Sequence, residues 1–466
     1  MLEQQLTTDY LVVGSGAVGM AFVDTLLTET DANIIMVDLH GKPGGHWNVA
    51  YPFVTLHQPS MFYGVSSEEL SNGRKDEVGL NKGLNELASG AEVSAYFENV
   101  MRHRFLPSGR VQYFPMCKYT GDGKFTSNVS GKQYSVTVNK KTIDATYMKT
   151  AVPSTHTPNF DVSPDVHFMP PNDLVKLTNT PSNYVVVGGG KTGIDTCLWL
   201  LEQDIDADMI TWIMPRDAWL IDRKNTQPTE EFFVDSIGSQ ADQMEAIAEA
   251  SSIDDMFDRL EAAGVFLRID TNVRPKMFHA ATISQLELEQ LRRIKNIVRM
   301  GRVTAIEQGK ITLEQGRLET ALDTVHIDCS ASAISNIEMK PVFEGNLITP
   351  QTVRSYQPVF SAAFIAHIEA NYSEEQKNAL CQVVPLPNRD IDWVALTAAF
   401  MRNQHIWGQV PAIRQWLFKN RLDGFSRLMA NVNPEDTEKM AIVNRLRSNS
   451  KPAMAKLQKF LAQING

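Results

Sequence analysis

The residue spacings in this chain that suggest chemistry are two sets of three glycines. Gly14, Gly16 and Gly19 lie in LVVGSGAVGMAFVDTLL, and Gly188, Gly190 and Gly193 lie in VVVGGGKTGID. Each set comes after an apolar, β-branched run and opens a helical one. That G-x-G-x-x-G frame makes a strand–turn–helix elbow whose backbone N–H groups face a phosphate. The first glycine makes the tight turn, the second lets backbone approach a pyrophosphate, and the third lets helix and strand pack closely. The second set also contains Gly190-Lys191-Thr192, which could end a nucleoside-triphosphate P-loop. A P-loop needs a glycine five positions before Gly190. That position is Val185, inside the run Tyr184–Val187, so the P-loop reading fails.

The two elbows continue differently. The first leads into NIIMVD, residues 33 to 38, ending in Asp38. An acid about 20 residues past the glycines accepts hydrogen bonds from ribose hydroxyls; a solvated strand-end carboxylate is the competing reading. The second leads into MITWIM, residues 209 to 214, and then Pro215-Arg216. A guanidinium there binds a 2′-phosphate that an acid would repel, with an ordinary surface arginine as the alternative. Arg223 and Lys224 add positive charge nearby. The first site therefore suits a dinucleotide with free ribose hydroxyls and the second suits NADPH. Two redox dinucleotides in one chain point to hydride transfer, with FAD in the first site as the economical pairing.

Downstream of Asp38 stands HGKPGGHWNVAYPFVTLHQPS. The first elbow, Asp38 and Gly44-Gly45-His46-Trp47 together resemble the two-dinucleotide-binding-domain flavoproteins. Within these, the chain is most similar to flavin-containing and Baeyer–Villiger monooxygenases, where a G-G-x-W segment lies beside the FAD. The resemblance runs over roughly residues 9 to 335. It implies that Gly14, Gly16 and Gly19 hold the FAD pyrophosphate and that Asp38 takes the adenosine ribose. Gly45 and Trp47 would lie along the flavin side, with Trp47 read equally as core filling. Gln58 would be a polar contact near the reactive edge. The implied activity is an NADPH-using monooxygenase acting through a flavin C4a-(hydro)peroxide on a small organic substrate with O2. The sequence departs from the family in two places. VHFMPPNDLVKL, residues 166 to 177, lacks the glycine and the later histidine usual before the second elbow, and HIDCSASAI, residues 326 to 334, replaces an Ala-Thr-Gly-like turn. These departures keep a second reading open, an NADPH-dependent flavin reductase or dehydrogenase without oxygen transfer. A non-enzymatic nucleotide-binding protein is a third. No catalytic acid or base is singled out among the ten histidines.

The elements that must position these residues are those of an α/β protein with two Rossmann-like dinucleotide-binding domains, a β-meander and a helical C-terminal region. Residues 1–180 are expected to form the first part of the FAD domain, with the meander over Val111–Tyr147. Residues 181–335 form the NADPH domain, with a helical insertion expected over Thr229–Ala263 and Ile283–Met300. Residues 336–466 return to the FAD domain and end in helices, among them Val359–Ala370 and a run from Asp390. The chain has 466 residues, of which 43% are hydrophobic and 21% charged, which is ordinary for a soluble globular protein. A net charge of −10 argues against a nucleic-acid partner. Cysteines 117, 197, 329 and 381 form no C-x-x-C and no metal cluster, so neither a disulfide reductase nor a metal site is expected. The polar first nine residues and the glycine-broken run Tyr10–Leu27 give no signal peptide and no membrane span, so a cytoplasmic location is expected. The partners expected are a small molecule and O2, with a homo-oligomer admissible.

Overall fold

A computed structural model describes residues 3–148, 150–331 and 337–465. Residues 332–334 of the return motif and the expected domain boundary at 335 lie outside the described residues.

The fold is the α/β arrangement expected. In the first sheet the main path runs Phe343–Glu344, Leu347–Ile348, Gln133–Asp144, Gln4–Val13, Ile34–Val37, Val111–Phe114. Gln4–Val13 is central, parallel to strands on both sides, with Val12 opposite Met36 and Ile143. The hairpin Cys117–Gly121 and Lys124–Ser127 completes the meander against Gln133–Asp144. The second sheet runs Asn296–Val298, Ile210–Ile213, Tyr184–Val187, Val325–Asp328, Phe168–Met169, all parallel. Its central strand, Tyr-Val-Val-Val, is buried throughout, as expected of a strand covered on both faces. Phe168–Met169 lies before position 181 yet pairs in this sheet. Asp161–Val162 likewise joins Val303–Glu307 in a small sheet packed on it. The family-divergent stretch 166 to 177 therefore supplies a strand and the short helix Pro171–Leu174 to the second unit.

Helix Ala17–Glu29, which begins at the first elbow, is buried from Gly19 to Leu27. One side meets the sheet and another meets helix Pro358–Asn371, itself buried from Val359 to Glu369. Pro358 sits in the first turn of that helix, where its missing N–H costs nothing. Glu29 joins the layers, accepting hydrogen bonds from Trp416 Nε1 at 2.8 Å and Asn371 Nδ2 at 2.7 Å and meeting His367 Nδ1 at 2.7 Å.

The insertion differs from expectation. Thr229–Ala263 does supply two helices, Phe233–Glu249 and Ile253–Ala262. Ile283–Met300 is not one helix, because Ile283 ends strand Met277–Ile283. Helix Gln285–Leu291 and strand Asn296–Val298 come next. The apolar spacing there is broken by the Arg292-Arg293 pair and by β-branched residues that complete the parallel sheet. Met277–Ile283, Ala218–Asp222 and Phe266–Leu267 form a further sheet. Trp219, Phe257, Phe266 and Trp393 build an aromatic core joining the insertion to the C-terminal helices Asp392–Gln409 and Thr437–Asn465.

Glu369 ties the first unit together in a buried ion cluster. Lys141 Nζ lies 2.9 Å and Lys377 Nζ 2.6 Å from its carboxylate, and Tyr10 donates its hydroxyl at 3.1 Å. Removing the carboxylate leaves two buried ammonium groups with only the exposed Glu374 between them. Glu369→Ala is expected to lower stability by about 3–5 kcal/mol. Urea unfolding should show this as a reduced midpoint at unchanged slope. A loss below about 1 kcal/mol would contradict the assigned role.

Candidate functional site

At the first elbow Gly14 has φ +98°, a left-handed value that penalises any side chain. A Cβ on Gly19 would fall 2.0 Å from the Gly14 carbonyl oxygen, so the helix start rests directly on the turn. Gly16 is the N-cap of Ala17–Glu29 and supplies no side-chain cap. The first-turn N–H groups therefore face outward as donors. The backbone of Gly44-Gly45 lies against this turn: Gly44 N–H donates to Ser15 O at 2.9 Å, and a Cβ on Gly45 would come 2.9 Å from Gly16 Cα. Gly45 also has φ +59°. Two backbones thus meet at the elbow with no side chain between them, a cradle that a Cβ would fill.

Asp38 ends strand Ile34–Val37 beside the elbow, where the sequence placed it. Its carboxylate is buried. One oxygen accepts Ser15 N–H and Ser15 Oγ, the latter at 2.8 Å, and the other accepts His40 N–H at 2.7 Å and meets His40 Nδ1 at 3.1 Å. Ser15 Oγ and His40 Nδ1 are the two side-chain contacts of this carboxylate. Trp47 is partly buried against the first core, as the core-filling reading had it. It donates Nε1–H to Tyr63 Oη at 2.7 Å, while its ring lines a cavity of about 400 Å³. Tyr51, Val54, Gly90 and Ser94 share that cavity. His46 stacks on Trp47, and burial, with the nearby His40 second, pushes its imidazole down to about 4, so it is neutral at ordinary pH. Gln58 is half-buried on the segment that runs on toward the second unit.

The second elbow repeats the geometry. Gly188 has φ +131°, and its missing Cβ leaves room for the Cys329 carbonyl oxygen, 2.4 Å from where that Cβ would sit. The backbone of Cys329 and Ser330 thus lies close against this turn. A Cβ on Gly193 would fall 2.1 Å from Gly188 O. A Cβ on Gly190 would meet nothing within 4 Å, and Gly190 caps helix Lys191–Glu202 without a side chain. This elbow is open beside Gly190 and its first-turn N–H groups. Lys191 is held by Asp195, one helical turn on. Burial pushes the Cys329 thiol far up, which leaves it protonated.

Arg216 lies over this elbow, its carbonyl 3.2 Å from the position of a Gly189 Cβ, and its Nη2 donates to Asn388 Oδ1 at 3.0 Å. Arg223 does not extend this positive surface. It is fully buried, donates Nε–H to His57 O at 3.0 Å, and pairs with Glu287 at 2.7 Å. A lone basic residue after a strand gives no sign of whether it turns inward, and Asn81 Oδ1 and the Thr282 carbonyl draw this one in. Lys224 is committed to Asp235 at 2.8 Å.

The structure joins the two elbows through residues the sequence did not single out. Tyr51 donates its hydroxyl to Asp195 Oδ2 at 2.7 Å, linking the loop after the first elbow to the helix of the second. Phe53 stacks on Trp199 of that helix with ring centroids 4.8 Å apart, and Asn172 Nδ2 donates to the carbonyls of Val49 and Ala50. Burial, with Asp195 next, drives Tyr51 well above the usual tyrosine range, so its hydroxyl stays a donor. Burial, then the Lys191 and Arg223 charges, holds His57 well below the usual histidine range, so it is neutral. The Lys191–Asp195 spacing is a visible i, i+4 pair. No pattern ties Asp195 to Tyr51 across 144 positions.

Among the described residues no cluster could hold a metal ion, and no helix is long and apolar enough to cross a membrane. No protein-family model matches the chain. Among solved structures it is similar to a flavin-containing monooxygenase from Stenotrophomonas maltophilia, at 14% identity and TM-score 0.44 over 81% of this chain and 99% of that one. It is also similar to a cyclohexanone monooxygenase mutant from Rhodococcus sp. Phi1 bound to NADP+, at 13% identity and TM-score 0.47 over 78% and 87%. Uncharacterized protein Rv2000 of Mycobacterium tuberculosis (strain ATCC 25618 / H37Rv) is 48% identical over 457 residues, 98% of this chain and 85% of that protein. Uncharacterized protein Mb2023 of Mycobacterium bovis matches to the same extent. The chain belongs to the family of these mycobacterial proteins.

Proposed function

We propose that the chain is an FAD-dependent oxidoreductase that uses NADPH and works as a monooxygenase on a small organic substrate. The observation that carries this reading is the pairing of two glycine elbows, each with uncapped N–H groups, through the Tyr51–Asp195 hydrogen bond. The residues present fit both dinucleotides. Gly14, Gly16, Gly19 and Gly45 would hold the FAD pyrophosphate on backbone donors, with Asp38 on the ribose. Gly188, Gly190 and Gly193 would hold the pyrophosphate of NADPH, and Arg216 its 2′-phosphate. Bound FAD would supply a two-electron acceptor for hydride and a centre that activates O2.

The chain's own groups would exclude water, orient the partners and hold protons. Trp47 and Tyr51 wall the cavity beside the first elbow, and Gln58 lies farther along the same segment. Tyr51 keeps its proton and fixes the helix of the second elbow against the first unit. His57, neutral and close to the Lys191 charge, is a polar group without a second positive charge. The four cysteines are buried and unpaired. Burial raises Cys197 and Cys329 well above the usual thiol range, which favours flavin chemistry without a dithiol. A reductase without oxygen transfer is favoured by the stretch 166 to 177, which is committed to the second unit's strand and helix and lacks the glycine and the later histidine usual in the monooxygenases it resembles.

Turnover under isotope-labelled O2 separates the two. Label in the product of a sulfide or ketone substrate supports oxygenation. NADPH oxidation that yields only hydrogen peroxide or a reduced quinone supports the reductase. Gly190→Val places its side chain in open space, so it is expected to cost only about 1 kcal/mol of stability as a poorer cap. It should nevertheless weaken NADPH at least about tenfold and leave FAD retained. Titration of the holoprotein with NADPH, with unchanged affinity, would contradict the assignment. Tyr51→Phe is expected to keep both cofactors, lose about 1 kcal/mol of stability, and slow flavin reduction by bound NADPH. Reduction at the wild-type rate in rapid mixing would remove Tyr51 from a positioning role.

A further inference from the structure

The strand Met277–Ile283 carries a bulge. It pairs with Ala218–Asp222 at Trp219 opposite Phe278 and at Ile221 opposite Thr282, so the register slips between these two pairs. Ala280, inside the bulge, has φ +57°, a conformation that disfavours an alanine. Such a bulge re-aims the side chains beside it, and backbone held in so sparse a region is concentrated at ligand sites. Here the neighbouring residue, His279, is turned toward the surface beside the second elbow.

His279 Nε2 lies 3.1 Å from Asn388 Oδ1, and Arg216 Nη2 donates to the same oxygen at 3.0 Å. Two donors from separate elements therefore converge on one acceptor. Arginine only donates, and the shared oxygen makes Nε2 the protonated ring nitrogen, so a second donor is already in place with the ring neutral. Asn388 is exposed and comes from the loop before helix Asp392–Gln409. Its backbone is fixed independently of its amide, with its carbonyl accepting Phe278 N–H at 3.3 Å and its own N–H donating to Asp392 Oδ2 at 3.2 Å. The amide oxygen can leave without disturbing that pairing. The Arg216 backbone in turn lies against Gly189, which ties this pair of donors to the elbow itself.

We infer that Arg216 and His279 form a two-armed clamp for the adenosine 2′-phosphate of NADPH, that Asn388 Oδ1 stands in for a phosphate oxygen, and that His279 is therefore a specificity-determining residue. This rests on the reading of the second elbow as the NADPH site and extends it. Selection of NADPH over NADH is made jointly by the nucleotide unit, the insertion and the C-terminal region. A phosphate oxygen is a stronger acceptor than an amide oxygen because its hydrogen bonds are charge-assisted. Exchange of one for the other is thus favourable when the 2′-phosphate arrives.

The test is calorimetry on the holoprotein with adenosine 2′,5′-bisphosphate and, separately, 5′-AMP. The wild type is expected to bind the bisphosphate at least about tenfold more tightly. His279→Ala should weaken the bisphosphate about tenfold and leave 5′-AMP unchanged, as should Arg216→Ala. Asn388→Ala should leave the bisphosphate as tight as in the wild type or tighter, because both donors are freed. Equal wild-type affinity for the two probes would overturn the clamp while keeping a dinucleotide site. Binding of neither probe would overturn both the clamp and the NADPH reading. A His279→Ala protein that binds both probes like the wild type would remove His279 from the clamp, and equal weakening of both probes would make its role structural.

Discussion

The contact on which this architecture depends is a helix start pressed onto a strand end, with bare backbone on both sides. At the two elbows the carbonyls of Gly14 and Gly188 sit about where the Cβ of Gly19 and Gly193 would be, 2.0 and 2.1 Å away. Only glycine permits that approach. It draws each helix over its parallel sheet and leaves the first-turn N–H groups uncapped. Serine side chains close other helix starts, at Ser89, Ser252 and Ser284, while the helices from Pro358 and Pro411 begin on a proline and, like the elbows, without a side-chain cap. An uncapped start carries a partial positive charge of about half a unit, which an anionic ligand satisfies better than a serine hydroxyl does.

The remaining structure holds these two starts in relation to each other. The loop after Gly45 runs from the first elbow to the second, where Tyr51 meets Asp195, Phe53 meets Trp199, and the His57 carbonyl takes Arg223. A single segment therefore walls the cavity beside the first elbow and buttresses the second. The insertion and the C-terminal helices share one aromatic core, so they form a common body rather than separate appendages. That body brings Asn388, and with it His279, to Arg216.

Much of this was legible in the sequence because it depends on local rules. Glycine spacing, the buried strand Tyr184–Val187, the acid at 38 and the meander turns are each set by neighbours within a few residues. Helix Pro358–Asn371 was visible from its apolar run and its opening proline. The stretch from Ile283 to Met300 was not, because its β-branched residues serve a parallel strand whose partner, Ile210–Ile213, is far away in the chain. Arg223 and Arg216 have the same residue type, yet one is buried among Asn81, Glu287 and the His57 carbonyl while the other stays half-buried at the surface beside Asn388. The link between Tyr51 and Asp195 carried no signal, since that hydrogen bond exists only once the two units have docked.

On this proposal both elbows hold redox dinucleotides close enough for hydride to pass. Anaerobic rapid mixing of the purified holoprotein with one equivalent of NADPH tests it most directly, read by the absorbance of oxidised flavin. The expected result is a chain that purifies with FAD, whose absorbance bleaches in a single turnover before any O2 is admitted. A chain that purifies without flavin and takes none up, or FAD that stays oxidised with NADPH bound, would contradict it.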